Sequence, residues 1–149
     1  MSVKKLAVAF LAIALLAGCS GKKGSMSGVD HALVRDFENN VGDRVHFDLN
    51  KSDIKKEAEV TLHRQATWLK AHPQIRVSVQ GHCDIRGTRE YNLALGERRA
   101  NAVKKHLEKH GIHADRLETI SYGKERPAVL GNDDAAHAKN RRSVSVLQQ

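Results

Sequence analysis

An α+β domain, a four-stranded sheet with helices on one face, is predicted for residues 42–149 of the 149-residue chain. Three features predict it. Short runs at 45–47, 75–79, 117–122 and 144–146 place apolar residues as strands do. Two longer stretches between them repeat apolar residues every three or four positions, as amphipathic helices do. Breakers, Pro73 and Gly111, stand where those helices should stop. The order β-α-β-α-β-(α)-β gives a sheet one of whose faces the helices can cover.

Ahead of that domain come two segments of different composition. Lys4 and Lys5 precede an unbroken apolar run at 6–17. The run is shorter than the roughly 20 residues that a spanning helix needs, and its flanks are those of a secretory signal. Residues 1–18 are therefore expected to be a lipoprotein signal peptide. Leu16-Ala17-Gly18-Cys19 resembles a bacterial lipobox, which implies an acylated Cys19 at the mature N-terminus. Two or more acyl chains anchor a protein stably where one holds it only marginally. Ser20 rather than Asp follows the cysteine, which by resemblance to Gram-negative lipoproteins implies sorting to the outer membrane. Residues 19–41, Gly-, Ser- and Lys-rich at first, read as the lipidated end and a flexible tether. Such a length reaches about 75 Å extended and averages about 25 Å as a coil.

Within the domain, Val45 and Phe47 alternate with His46 and Asp48 on a first strand. Ser52 or Asp53 is placed to cap a helix carrying Ile54, Ala58, Leu62, Ala66 and Leu69, which must end before Pro73. Ile75, Val77 and Val79 mark the second strand. The second helix spans about 91–110, with Leu93, Ala100, Val103 and Leu107 inward and Gly111 as its stop. A third strand at 117–122, a short Ala-rich helix around 133–138 and a last strand with Val144 and Val146 complete the domain.

The chain has 25 Lys and Arg against 17 Asp and Glu, a formal charge of +8, and loss of Lys4 and Lys5 with the signal lowers it to +6. In an exported protein that balance points to cell-wall polymers and anionic headgroups rather than to nucleic acid. With Cys19 acylated, Cys83 is left without a disulfide partner.

The stretch GHCDIRGTREYNLALGERRAN, residues 81–101, places a carboxylate, Asp84, at the end of a strand and two guanidiniums, Arg98 and Arg99, on the next helix. An acceptor-only Asp can take an ammonium, and the planar fork of Arg suits a carboxylate, so the pair could grip a zwitterion. Arg98 and Arg99 point about 100° apart around the helix, so one of them alone can face the site squarely. Cys83 and His82 are neighbours on a strand and face opposite sides, which argues against a Cys-His nucleophile. His106, His110 and His113 have partly helical ligand spacing, but Gly111 interrupts it. No carboxylate or thiol completes a metal set, and a solvated His-rich face is expected. No nucleophile-base pair or paired catalytic carboxylates stand out either. The chain is expected to be neither an enzyme nor a cofactor carrier.

The same stretch resembles the signature of the OmpA-like peptidoglycan-binding domain family, a likeness that covers residues 42–147 nearly end to end. The resemblance implies a two-layer fold with a mixed four-stranded sheet and a ligand, the diaminopimelate of the peptidoglycan stem peptide, that carries an ammonium and a carboxylate on one carbon. The family's Asp in Gly-His-x-Asp matches Asp84, and its Arg before Ala matches Arg99. Phe47 and Asp48 match its Phe-Asp pair, and Asn92 a polar position beside the ligand. Asn140-Arg141-Arg142 resembles a second signature, in which Arg141 is expected to be structural. The wording SYGKERPAVLG after residue 120 resembles the family's outer-membrane lipoproteins. It implies a tether between outer membrane and cell wall within the Tol system, serving envelope integrity and outer-membrane constriction in division. TolB is then the expected partner, with TolA and OmpA beside it. The alternative is a scaffold lipoprotein of another envelope or secretion assembly; co-purification of TolB separates the two. On this reading, removing Asp84 or Arg99 should abolish binding and leave the fold intact.

Overall fold

In the computed structural model, which describes residues 28–149, the predicted strands and helices form in the predicted order. The strands are β1 (Arg44–His46), β2 (Arg76–His82), β3 (Leu117–Gly123) and β4 (Arg142–Gln148). They lie in the order β1-β4-β2-β3. β4 runs antiparallel to both neighbours, whereas β2 and β3 are parallel. The sheet is therefore mixed.

Two helices cover one face. α2 (Lys56–Ala71) and α3 (Arg89–Lys109) bury Leu62, Ala66, Leu69, Ala100, Val103 and Leu107 against Val45, Val77, Val79 and Leu117 of the strands. Because strand side chains alternate, the inward positions of β4 are Ser143, Ser145 and Leu147. Val144 and Val146, the apolar residues that mark this strand in the sequence, lie on the uncovered face, where Val146 is 38% exposed. Ser145 is tolerated inside because its Oγ donates to Oε1 of Gln65 at 2.8 Å, and Gln65 Nε2 donates to the Gly42 carbonyl at 2.7 Å. Gln65 is fully buried, and a buried amide needs such partners.

Three boundaries differ from expectation. α2 begins at Lys56 with Lys55 at the N-cap and no side-chain cap, so neither Ser52 nor Asp53 caps it. α3 begins at Arg89, where Thr88 Oγ1 accepts from the Tyr91 N–H; its end at Lys109 is followed by Gly111 at φ 92°, as the stop signal requires. The third difference is larger. Residues 31–41, expected within a flexible tether, are helical: α1 (His31–Asp36) runs into a π-helical turn (Phe37–Gly42). Phe37 is 1% exposed and packs on Trp68 with ring centroids 5.0 Å apart. Trp68 Nε1 donates to the Asp36 carboxylate at 2.7 Å. Phe37, with Val29, Leu33 and Val41 packed against the same core, docks the segment, and its weak periodicity hid that. The expected signal peptide, the expected acylated Cys19 and the start of the expected tether lie outside the described residues. Among the described residues no helix is long and apolar enough to cross a membrane. The last helix, α4 (Asp134–Asn140), is capped by Asp133 Oδ1 on the Ala136 N–H.

Candidate functional site

At the top of β2 the chain leaves the sheet through Cys83 and Asp84, turns at Gly87 (φ 92°) and enters α3. The helix returns past the strand at very close range. Gly81 faces the Gly96 carbonyl, with no room for a Cβ on either side. That approach brings the first turns of α3 under the end of β2. Asp84, Asn92 and Arg99 then line one small cavity with Leu49, Asn50 and Arg86.

Arg99 is the floor. It is 0% exposed, and its guanidinium donates to three backbone carbonyls: Nε to Lys51 at 2.9 Å, Nη1 to His82 at 2.8 Å and Nη2 to Asp48 at 3.0 Å. The guanidinium carbon lies 5.2 Å from the Phe47 ring centroid, within cation–π range. Burial lowers its pKa from the ordinary arginine value, and Arg141 adds repulsion. Three of the five N–H donors of an arginine are thus committed to holding the 48–51 turn against the end of β2. Arg98 is exposed, as the helix geometry predicts.

Asp84, buried at the rim, does not pair with Arg99 in the hydrogen-bond set. Its cations are Arg86 and Arg141. Arg86 donates from Nε to Oδ1 at 3.1 Å and from Nη2 to Oδ2 at 2.8 Å, while the Arg86 backbone N–H also reaches Oδ1 at 3.1 Å. Arg141 Nη1 lies 3.5 Å from Oδ2, and Arg141 Nε donates to the Phe47 carbonyl at 2.9 Å. Arg141 therefore ties the end of α4 to β1 and to the site. Burial alone would raise the pKa of the Asp84 carboxyl. The Arg86 and Arg141 hydrogen bonds outweigh that and hold it below the usual carboxylate value, so Asp84 is ionised at neutral pH. The Arg86 side chain is 41% exposed. It closes the site down to about 10 Å³, roughly the space one water needs.

The remaining predicted residues divide. Phe47 is core beneath Arg99. Asn92 is buried, and its Nδ2 donates to the Arg86 and Thr88 carbonyls at 2.8 and 3.0 Å, which pins the loop that carries Arg86. The Asp48 side chain is exposed, 3.4 Å from Lys55 Nζ, and the cavity receives no part of it. Sequence reasoning missed Arg86, although its position two residues after Asp84 was a usable signal, since Asp accepts readily from the i+2 backbone. It could not have found the Lys51 and Asp48 carbonyls, which no side-chain pattern encodes.

Cys83 is buried, with Sγ 3.3 Å from the Asn92 carbonyl oxygen; burial raises the pKa of its thiol, which makes it a small hydrophobe rather than a nucleophile. His82 points to the other face of the sheet and stacks on Tyr122 at 5.5 Å, while Arg126 covers the same ring at 3.8 Å. Among the described residues neither ring nitrogen of His82 has a hydrogen-bond partner. Burial and then Arg142 push its pKa down to about 4; the Arg126 backbone opposes the shift without closing a hydrogen bond.

A pH dependence follows. The unfolded chain takes up a proton near pH 6.5, whereas folded His82 refuses it until about pH 4. Falling pH then favours the unfolded state, and stability should drop by about 3 kcal/mol across that window. Urea midpoints of wild type and His82→Leu, compared at pH 7 and pH 4.5, check this. The variant should lose the extra acid sensitivity; equal pH slopes would remove His82 from the account.

The fold and this site define a class. The sequence profile of the OmpA family matches residues 46–141, and the chain belongs to the OmpA family. Its relatives narrow the assignment to the peptidoglycan-associated lipoproteins within that family. The peptidoglycan-associated lipoprotein of Mesorhizobium japonicum is 44% identical over 94% of this chain and 89% of its own length. That of Haemophilus influenzae is 45% identical over 95% of both. Among solved structures, the peptidoglycan-associated lipoprotein from Burkholderia pseudomallei superposes with a TM-score of 0.73 at 40% identity, covering 76% of this chain and 98% of that one. The C-terminal domain of Helicobacter pylori MotB, at 21% identity and a TM-score of 0.67, shares the fold.

Proposed function

We propose that this chain binds peptidoglycan non-covalently through diaminopimelate and tethers the outer membrane to the cell wall by acyl chains on Cys19. The observation that carries the reading is Asp84: a buried carboxylate, ionised, whose nearest cation is the half-exposed guanidinium of Arg86. Arg86 stands where a ligand ammonium would sit. The closed cavity of about 10 Å³ holds no stem peptide, so binding requires Arg86 to swing outward. The donors of Arg99 not committed to carbonyls, together with Arg141, then suit the ligand carboxylate. Asn92 and Phe47 hold the frame, and Asp48 takes a place at the rim. Individually modest contacts to a lattice of identical sites become strong together because anchoring raises their effective concentration. In the same reading the domain faces the periplasm and exchanges partners within the Tol system, with TolB competing for this face and TolA and OmpA nearby. The work is mechanical rather than enzymatic.

Asp84→Asn tests it. The substitution keeps an acceptor for the Arg86 N–H and removes the charge. Since a hydrogen bond to a charged group contributes about 1.5–3 kcal/mol, sacculus binding should fall about 10- to 100-fold in a sedimentation assay. The amide NH2 also displaces an oxygen that accepts from Arg86 or Arg141, so the melting temperature should fall as well, and circular dichroism at the assay temperature verifies that the variant is folded. Sedimentation at wild-type levels would end the assignment of Asp84.

A further inference from the structure

A second opening lies on the other side of the turn that Arg99 holds. Leu49 and Asn50 line the cavity. Ser52 and Asp53, just beyond them, line a groove of about 510 Å³ together with Glu97, Arg98, Asn101 and Lys105 of α3. The turn is the wall between the two. Arg99 braces it from the cavity side through the Asp48 and Lys51 carbonyls. Asn50 completes it at φ 57°, a left-handed conformation that asparagine adopts more readily than most residues. Arg98 and Arg99, about 100° apart around the helix, therefore serve different openings.

The groove is polar and balanced in charge. Arg98, Asn101 and Lys105 recur at i, i+3 and i+7, which sets them in one stripe along α3. The cations Arg98 and Lys105 are matched by the carboxylates of Asp53 and Glu97. Among the described residues, however, Asp53, Arg98 and Lys105 form no ion pair. Glu97 is committed: its Oε1 accepts from Asn101 Nδ2 at 2.8 Å and from Thr119 Oγ1 at 3.0 Å. Asn101 Nδ2 also donates to the Glu97 carbonyl at 3.1 Å. That fixes the amide and leaves Asn101 Oδ1 as an acceptor. An ion site would show an excess of one sign. Donors on Arg98, Lys105 and Ser52, set beside acceptors on Asp53 and Asn101, suit instead a neutral ligand rich in hydroxyl and amide groups. The volume is that of a small-ligand site, about 300–1,000 Å³.

We propose that this groove binds the N-acetylated sugar of the glycan strand that carries the stem peptide, so that one ligand reaches over the 48–53 turn into both openings. The inference rests on diaminopimelate occupying the Asp84 cavity. In peptidoglycan the sugar and the diaminopimelate are separated by roughly two residues and a lactyl link, about 10 Å of chain. From Arg99 to Lys105 the helix advances about 9 Å, so the spacing of the openings fits the spacing of the ligand. The hydroxyls and the acetamide of the sugar give and take hydrogen bonds at once. Arg98 and Lys105 donate to them, while Asn101 and Asp53 accept.

Isothermal titration of the purified full chain in detergent with two ligands tests the groove. One is a lactoylated stem tetrapeptide containing diaminopimelate. The other is the same peptide carried on its N-acetylglucosaminyl-N-acetylmuramyl disaccharide, so the pair differs in the sugars alone. Wild type should bind the disaccharide form about tenfold more tightly, the effect of one or two added hydrogen bonds. Arg98→Ala and Asn101→Ala should each cut that ratio to about threefold or less and leave the peptide affinity within about twofold of wild type. Arg98 is exposed and Asn101 half-buried at the surface, so both variants keep the fold, which thermal melts verify. If wild type binds the peptide and the disaccharide form equally, the groove proposal is overturned while the cavity reading stands. A ratio that survives in both variants places the sugar elsewhere and overturns it too. Binding of neither ligand by wild type removes the diaminopimelate reading, and the groove proposal with it.

Discussion

Replacing Arg99 with Ala should destabilise the folded domain by about 3–5 kcal/mol, because it empties a fully buried side-chain volume and removes three hydrogen bonds from a charged donor. The Lys51 and His82 carbonyls would lose the guanidinium as donor, the Asp48 carbonyl would keep only the Lys51 N–H at 3.2 Å, and a buried acceptor left unpaired costs about 1–3 kcal/mol. The Phe47 ring would lose the cation above it. Against a total stability of about 5–15 kcal/mol, this is a large fraction, and the melting temperature should fall by about 10–20 °C. Arg99→Lys should recover part of the loss, because an ammonium keeps the charge but cannot span three divergent carbonyls. Thermal and urea unfolding of both variants check this; an Arg99→Ala protein melting within two degrees or so of wild type would show that the carbonyl bonds hold little. The expectation from the sequence, that Arg99 could be removed with the fold intact, does not survive this geometry. Failure of Arg99→Ala to bind sacculi would report unfolding as readily as a lost contact, which is why Asp84→Asn is the better probe of the ligand.

Gly81→Ala should be comparably severe. A Cβ on Gly81 would fall well inside contact distance of the Gly96 carbonyl oxygen and carbon. Both are backbone, so no rotamer change relieves the clash; β2 and α3 must separate. β2 is an inner strand, paired to both β4 and β3, so the shift propagates across the sheet. Overpacking costs about 1–3 kcal/mol where side chains yield, and here about 3 kcal/mol or more is expected. The move also carries the His82 carbonyl away from Arg99. Gly96→Ala should be milder, because its nearest obstacle is the Ser121 Oγ, which can rotate if it gives up its 2.7 Å bond to the Leu93 carbonyl. Denaturant midpoints that rank Gly96→Ala below Gly81→Ala in stability would contradict the close-approach account.

The same pair of glycines shows how the sequence and the structure share the explanation. Their presence near a strand end and in a helix invites a shaping role, yet nothing local says that they face each other. The histidines behave alike: His106 and His110 can be paired from helix geometry, whereas His63 meets His110 only because α2 packs on α3. Phe37 is a third case, a single aromatic in a segment whose composition otherwise reads as tether, seated by Trp68 from a helix later in the chain. Val144 and Val146 mark a strand but do not say which of its faces is inward, and Gln65 makes Ser145 an acceptable core residue.

By itself the sequence determined the four strands, the two long helices, their stop signals and the neighbourhood of Asp84 and Arg99. Alternation, helical period and capping are properties of adjacent residues and survive without a partner. Only the tertiary structure decided what those charges do. Arg99 spends its donors on carbonyls of a turn about fifty positions earlier, and Asp84 is held by Arg86 and by Arg141 from the far end of the chain. Hydrogen-bond partners of a buried ion are chosen by which backbone the fold brings within about 3 Å, and that distance is set by packing between elements that no local pattern records.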